Sequence, residues 1–225
     1  MFTSYLKTAL RKIKSQKAFG VINIAGLGVG VAAAVIIYLF IDYELGFDAN
    51  LKNNDHLYRV VLHQQRSTGI DYSGANYFPL STALRTDFPD LPAATQTNMV
   101  REATVEVDNE TFSAGNILFV EPDFYTLMKP RWIDEDRNRV RDPASVILTE
   151  SQAKKYFGTV QSVGRRLTLL DSVSFTVTGI VADPPEKTSL PYDMLLSWKA
   201  MNLLYNRDYM TRWNYMNGNS QTFLQ

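Results

Sequence analysis

Few side chains in this 225-residue sequence have the types and spacing that chemistry needs. His56 and His63 are its only histidines and cysteine is absent, so one chain offers neither a multi-histidine metal site nor a thiolate. Carboxylates cluster at Asp134-Glu135-Asp136 and at Asp87 with Asp90, the pattern from which an acid–base pair would be drawn. Such work needs groups that converge in space, and these stand in basic or proline-bounded loops, where solvated surface is the simpler reading. His63 lies in strand-like sequence without a G-x-S-x-G or comparable nucleophile setting, and His56 precedes the same stretch. Trp132, Trp198 and Trp213 read first as core or interface aromatics and only second as a ligand platform. Gly26-Leu27-Gly28-Val29-Gly30 follows no strand and lacks the Lys-Ser/Thr of a phosphate loop. The run from Gly158 to Gly164, followed by Arg165-Arg166, has the wrong spacing for one. The sequence leads us to expect no enzyme site, no metal site and no cofactor.

What the sequence must position is a membrane segment. Residues 18–41, AFGVINIAGLGVGVAAAVIIYLFI, contain no Asp, Glu, Lys or Arg. As a helix they extend roughly 36 Å, enough to cross a hydrocarbon core of about 30 Å with some tilt. Lys7, Arg11, Lys12, Lys14 and Lys17 precede the stretch with no acid among them, and Asp42, Glu44 and Asp48 follow it. The positive-inside rule then puts residues 1–17 in the cytoplasm and the rest of the chain outside. A cleaved signal peptide would have a shorter apolar core and a small-residue cleavage site, so the segment reads as an anchor. Tyr5, Leu6, Ala9, Leu10 and Ile13 give the leader an apolar face suited to the inner-leaflet interface. Gly26 and Gly30 form a GxxxG pair on which a second helix can pack closely, although glycine is also common in membrane helices.

The formal net charge of zero hides an asymmetry. Residues 1–41 hold five basic groups, and residues 42–225 hold the other 18 and all 23 acids, a net of −5. A mildly acidic outer part without a dense basic block argues against a nucleic-acid partner, and the basic leader suits the lipid bilayer.

After the span, residues 57–62 read as a first strand and 78–88 as a helix with Pro79 in its first turn. Strands are expected at 95–100, 104–107 and 111–120, with a hairpin turn at Asp108-Asn109-Glu110. A short helix at 121–128 and a charged loop at 134–142 lead to a buried-type strand at 146–149. A helix at 150–157 follows, closed by Gly158. Strands at 166–170 and 174–181 flank a turn around Asp171-Ser172; Pro184-Pro185 breaks the chain before 192–198 resumes it. The pattern is α+β: an N-terminal transmembrane helix, then a mixed domain of short helices and mostly antiparallel strands. Core positions are expected at Val60, Leu62, Leu84, Phe88, Val146, Leu148, Phe157, Leu169, Val177 and Ile180. The organisation expected is a leader at 1–17, a membrane helix at 18–44 and an outer domain at 45–225. Because Gln221-Thr222-Phe223-Leu224-Gln225 looks like mid-strand, the chain reads as a fragment, its domain incomplete at the C-terminus.

Several segments in order resemble the start of a MacB/FtsX-type ABC transporter permease, of the kind abundant in Bacteroidetes. They are Tyr5-Leu6-Lys7-Thr8-Ala9-Leu10-Arg11, Lys17-Ala18-Phe19-Gly20-Val21-Ile22-Asn23-Ile24-Ala25-Gly26-Leu27, Asp42-Tyr43-Glu44-Leu45-Gly46-Phe47-Asp48 and His56-Leu57-Tyr58-Arg59-Val60. The likeness continues in Ser145-Val146-Ile147-Leu148-Thr149-Glu150-Ser151-Gln152-Ala153-Lys154-Lys155-Tyr156-Phe157-Gly158. It also covers Val163-Gly164, Leu167 and Phe175-Thr176-Val177-Thr178-Gly179-Ile180-Val181-Ala182-Asp183-Pro184-Pro185. It departs at Arg131-Trp132-Ile133-Asp134-Glu135-Asp136-Arg137, where the family usually has Gly-Asp and small apolar residues.

The resemblance implies an inner-membrane permease subunit with its N-terminus cytoplasmic and a periplasmic core domain. It implies a separate cytoplasmic ABC ATPase as partner, a homodimer or paired permease, and room for a periplasmic or outer-membrane partner. ATP-driven closure would be transmitted through the first helix to the periplasmic domain, to export or release a substrate. The family brings no catalytic residues and no cofactor to this chain. The substrate, and export as against lipoprotein release or signalling, are not written in these residues. A single-span anchored binding or sensory module is the alternative from a different class.

Overall fold

The computed structural model describes residues 5, 11, 17–48, 51, 56–135, 142–170, 173–204 and 210–225. Two compact units divide at residue 49. The first contains helix α1 (Lys17–Leu45), long and apolar enough to cross a membrane by length and composition. It tightens at its end, where Gly46 N–H donates to the carbonyls of Asp42 and Tyr43 and Phe47 N–H to that of Glu44. In the leader only Tyr5, Arg11 and Lys17 are described, so the interfacial helix expected there lies largely outside the described residues.

The second unit is organised by an eleven-stranded sheet. In chain order its strands are β1 (Tyr58–Arg59), β5 (Ala94–Val100), β6 (Ala103–Val107), β7 (Glu110–Ala114), β8 (Ile117–Val120), β9 (Trp132–Glu135), β10 (Ser145–Thr149), β11 (Arg166–Leu169), β12 (Val173–Val181), β13 (Met194–Ser197) and β15 (Ser220–Leu224). Their spatial order is β1-β15-β5-β8-β13-β10-β12-β11-β6-β7, with β9 added to β12. Among the described residues, only β10–β12 and β8–β13 pair in parallel. Two small ladders complete the strands: β2 (Leu62–Arg66) with β3 (Gly69–Ser73), and β4 (Asn76–Tyr77) with β14 (Met216–Asn217). The helices are α2 (Leu80–Asp87), α3 (Phe124–Met128), α4 (Glu150–Phe157) and α5 (Met201–Leu204), the last entered through a 3₁₀ turn at Trp198–Ala200.

The central strands are buried on both faces, which is why they read as unbroken apolar runs. Val146 and Leu148 of β10, Met194 and Leu196 of β13, and Ile117 and Phe119 of β8 enter one core with Ala153 and Tyr156 of α4 and Met201 of α5. The alternate residues Ile147, Leu195, Leu118 and Val120 enter a second core with Phe124 of α3. A register shift opposite Val146/Ile147 inserts one residue into β12. That bulge lets Val177 and Ile180, an odd number of residues apart, share the first core.

Several local expectations hold for local reasons. Asp108 (φ 50°) and Asn109 (φ 67°) form the two-residue loop between the paired Val107 and Glu110, with positive φ at both positions as a type I′ turn requires. Gly158, at φ 71°, closes α4 by donating its N–H to Lys154 O. Of the expected core, Val146, Leu148, Leu169, Val177 and Ile180 are buried, and Phe157 packs partly buried against them.

Other expectations are corrected. Residues 57–62 are not one strand: Val60 N–H still bonds Thr222 O, but Leu62 leaves for the separate hairpin, so Val60 and Leu62 are only half-buried. Residues 111–120 split at Gly115-Asn116, where the Asp193 carboxylate accepts from Asn116 N–H at 3.0 Å and a Cβ on Gly115 would collide with it. Phe88 is 60% exposed because it lies one residue past α2, its N–H spent on Leu84 O; Leu84 is half-buried. The helix expected from 121 begins at Phe124, and the expected loop at 134 is still strand through Glu135. The turn at Asp171-Ser172 and residues 136–141 of the charged loop lie outside the described residues.

The stretch that departs from the family pattern has a packing role. Trp132 lies over Gly179, where a Cβ would come within 2.6 Å of the ring. Gly179→Ala should therefore destabilise the chain by about 1–3 kcal/mol, read as a lower urea midpoint with unchanged slope. Burial, with the Asp183 carboxylate as second cause, pushes the Tyr192 phenol up to about 12. The fold thus favours the neutral phenol, and this contribution is complete below pH of about 10 and lost as pH rises through about 12. Burial also pushes the Tyr156 phenol up, so alkaline titration at 295 nm should show more than one late tyrosine, and the step in this window should be absent from Tyr192→Phe.

Candidate functional site

A dense polar assembly in the second unit is built around Glu121, at the end of β8 and 5% exposed. Its Oε1 accepts from Ser81 Oγ (2.9 Å) and Arg85 Nη2 (2.7 Å), and its Oε2 from Arg85 Nη1 (3.1 Å) and Gln96 N (2.9 Å). Arg85 Nη1 also reaches Ala94 O at 2.6 Å. Pro79 at the N-terminus of α2 sets the helix direction that turns Ser81 inward and stretches Arg85 across the end of β5. Gln96 extends the assembly: Oε1 accepts from Ser81 N, and Nε2 donates to Tyr77 O and to Ser220 Oγ. One carboxylate thus joins α2, β5 and β8, and through Gln96 it reaches β4 and β15. The Glu121 hydrogen bond holds the Arg85 guanidinium above its ordinary value, against the opposing effect of burial. Every oxygen of this carboxylate is spent on the fold, so the assembly is a clamp without a free nucleophile or base.

Two clefts border this region. One of about 290 Å³ lies beside the clamp between Arg85, Pro122, Tyr125, Trp198 and Lys199. A larger one, 460 Å³, lies between the end of β5, α5 and the β14–β15 turn.

The residues singled out from sequence do not converge. His63 is exposed on β2 with its ring edge-on to Tyr72 at 4.5 Å, and His56 is exposed before β1. Asp87 and Asp90 are exposed around the end of α2, and Asp134 and Glu135 lie on β9; Asp136 lies outside the described residues. Among the described residues, no three acidic or histidine side chains come together as a metal site. Trp132 and Trp198 pack against the two cores, whereas Trp213 is 53% exposed beside Tyr77. In α1, Gly26, Gly28 and Gly30 have open space where a Cβ would project. Arg11 is exposed, Lys17 begins α1, and Lys7, Lys12 and Lys14 lie outside the described residues. Sequence reasoning missed Glu121, Arg85 and Gln96, since their partners lie up to 124 positions away.

The family model of the MacB-like periplasmic core domain matches residues 21–222. The chain belongs to that family. A domain assigned to a permease protein from Porphyromonas gingivalis shares the fold at TM-score 0.64 and 23% identity, over 76% of this chain and 73% of that one. The extracellular domain of YknZ, a noncanonical ABC-type transporter from Gram-positive bacteria, does so at 0.52 and 10% identity, over 76% and 83%. The periplasmic region of MacB from Actinobacillus actinomycetemcomitans matches at 0.48 and 14%, over 67% and 65%. No curated protein sequence matches significantly. The MacB-like domain and the N-terminal apolar helix together point to an inner-membrane protein of the MacB/FtsX permease type.

The clamp makes a quantitative prediction. Arg85→Met leaves the buried Glu121 charge without its cation and should cost about 3 kcal/mol, less than a fully buried pair because Arg85 keeps 37% exposure. Lys154→Met breaks the exposed pair with Glu150 and should cost under about 0.5 kcal/mol. Urea unfolding followed by tryptophan fluorescence compares the two.

Proposed function

We propose that this MacB-like chain is the anchored periplasmic part of an ABC transporter permease, worked by a separate cytoplasmic ATPase. The observation that carries the reading is a MacB-like periplasmic core domain following an N-terminal helix long enough to cross a membrane. In this reading residues 1–17 are cytoplasmic, 18–44 cross the bilayer and 45–225 lie in the periplasm. The helix carries motion between compartments because its hydrogen bonds run unbroken along its axis. Gly26 and Gly30 let a neighbouring permease helix approach closely, the partner being a second copy or a paired permease. ATP binding and hydrolysis on the partner shift the periplasmic domain between two arrangements, and that shift moves or releases the substrate. The chain itself contributes no catalysis; its work is mechanical.

Because the sequence has no cysteine, single introduced thiols report topology cleanly. Ser67→Cys, at the tip of the β2–β3 hairpin, should react with an impermeant maleimide on intact spheroplasts. Ser15→Cys should react only after permeabilisation. The reverse pattern, or equal labelling of both, would overturn the orientation. Co-purification of a cytoplasmic ABC ATPase with the membrane-extracted chain tests the partnership, and its absence under mild extraction counts against the coupling.

A further inference from the structure

We propose that the 460 Å³ cleft beyond the end of β5 binds a short peptide, taking one apolar side chain and one backbone N–H. The volume is within the range of small-ligand sites and suits a side chain with one or two peptide units. Its interior is apolar: Phe78 and Met201 are each 4% exposed, and the Tyr215 ring stacks on Phe78 at 6.2 Å with an interplanar angle of 13°. An aromatic pair beside a flexible thioether accommodates side chains of different shape.

The polar feature is Asn98. It lines the cleft, is 4% exposed, and its Oδ1 has no hydrogen-bond partner among the described residues. Gln96, two residues along on the same strand face, has both its amide oxygen and its amide nitrogen bonded. Thr95, Gln221 and Thr222 nearby also carry buried side-chain oxygens without a partner among the described residues, but of these only Asn98 lines the cleft. A buried amide oxygen left unpaired costs about 1–3 kcal/mol, so this position favours any ligand that brings a donor. A peptide N–H is such a donor, and it comes attached to an apolar side chain that the stacked rings can cover. Arg101 and Glu102, exposed at the rim, place one charge of each sign beside the opening, matching the carboxyl and amino ends of a short peptide. The inference concerns binding alone and does not depend on ATPase coupling.

The test uses the whole chain in lipid nanodiscs with ¹³C-methyl methionine, titrated with N-acetyl-leucyl-phenylalanine amide. Saturable shifts at Met201 and Met99, with the other methionines unmoved, are expected. Replacing the probe by its N-methylated analogue, which lacks the donors, should weaken binding at least tenfold. Asn98→Leu should do the same for the parent peptide, and Tyr215→Ala, at a half-exposed position, should weaken both probes. If Asn98→Leu does not fold, the N-methyl comparison on the unaltered chain carries the polar half of the test. No saturable shift up to the solubility limit would overturn the proposal. So would equal binding of the two probes, which would leave the buried Asn98 oxygen without a role in binding.

Discussion

A buried carboxylate is expensive to desolvate and is tolerated only when its lone pairs are filled by donors held in place. Glu121 meets that condition with four hydrogen bonds from Ser81, Arg85 and Gln96, and much of the second unit follows from it. The helix bearing Ser81 and Arg85 must lie across the ends of β5 and β8. Gln96, whose N–H bonds the carboxylate, then has its side chain directed to Tyr77 and Ser220. β15 is thereby fixed beside β5, and β1 beside β15. The clamp is directional where the apolar cores are not, so it sets which strands meet while the cores supply most of the driving force.

The same sheet explains how a domain of this size can be stiff. Its central strands are covered on both faces, and the β12 bulge keeps apolar residues inward beyond the point where simple alternation would turn them out. Trp132 over Gly179 and Asp193 against Gly115-Asn116 fix the flanks by contacts that leave no room for a side chain. A stiff module attached to a membrane helix is suited to being moved as a body, which is what the proposed transport role asks of it. The 460 Å³ cleft lies where β5 leaves the covered part of the sheet and the β14–β15 turn folds over it.

What could be read in the sequence was local. The apolar span, the Asp108-Asn109 turn, the Gly158 cap and the buried run Val146-Ile147-Leu148 each carry their cause within a few residues. One misread stretch had its cause elsewhere in the chain, another in where a helix stops. Residues 111–120 alternate like one strand, and only Asp193, more than 70 positions away, breaks them at Gly115. Phe88 keeps helical spacing with Leu84 but falls just after the helix has ended. Asn98 fell inside an expected strand and Glu121 at the start of an expected helix, and neither stood out, because the absence of a partner for one and the crowding around the other are properties of the fold. The family resemblance was legible because it rests on ordered segments spread along the chain, and the family match over residues 21–222 agrees with it.

The central claim is that events at a cytoplasmic ATPase move this domain. Spin labels on Ser67→Cys in paired copies, in native-lipid nanodiscs with the ATPase bound, would give the distance distribution across the two hairpins. The account predicts different distributions in the nucleotide-free and vanadate-trapped states, with the sheet's amide-exchange protection unchanged between them. The same distribution in both states, from a complex that hydrolyses ATP, would contradict it.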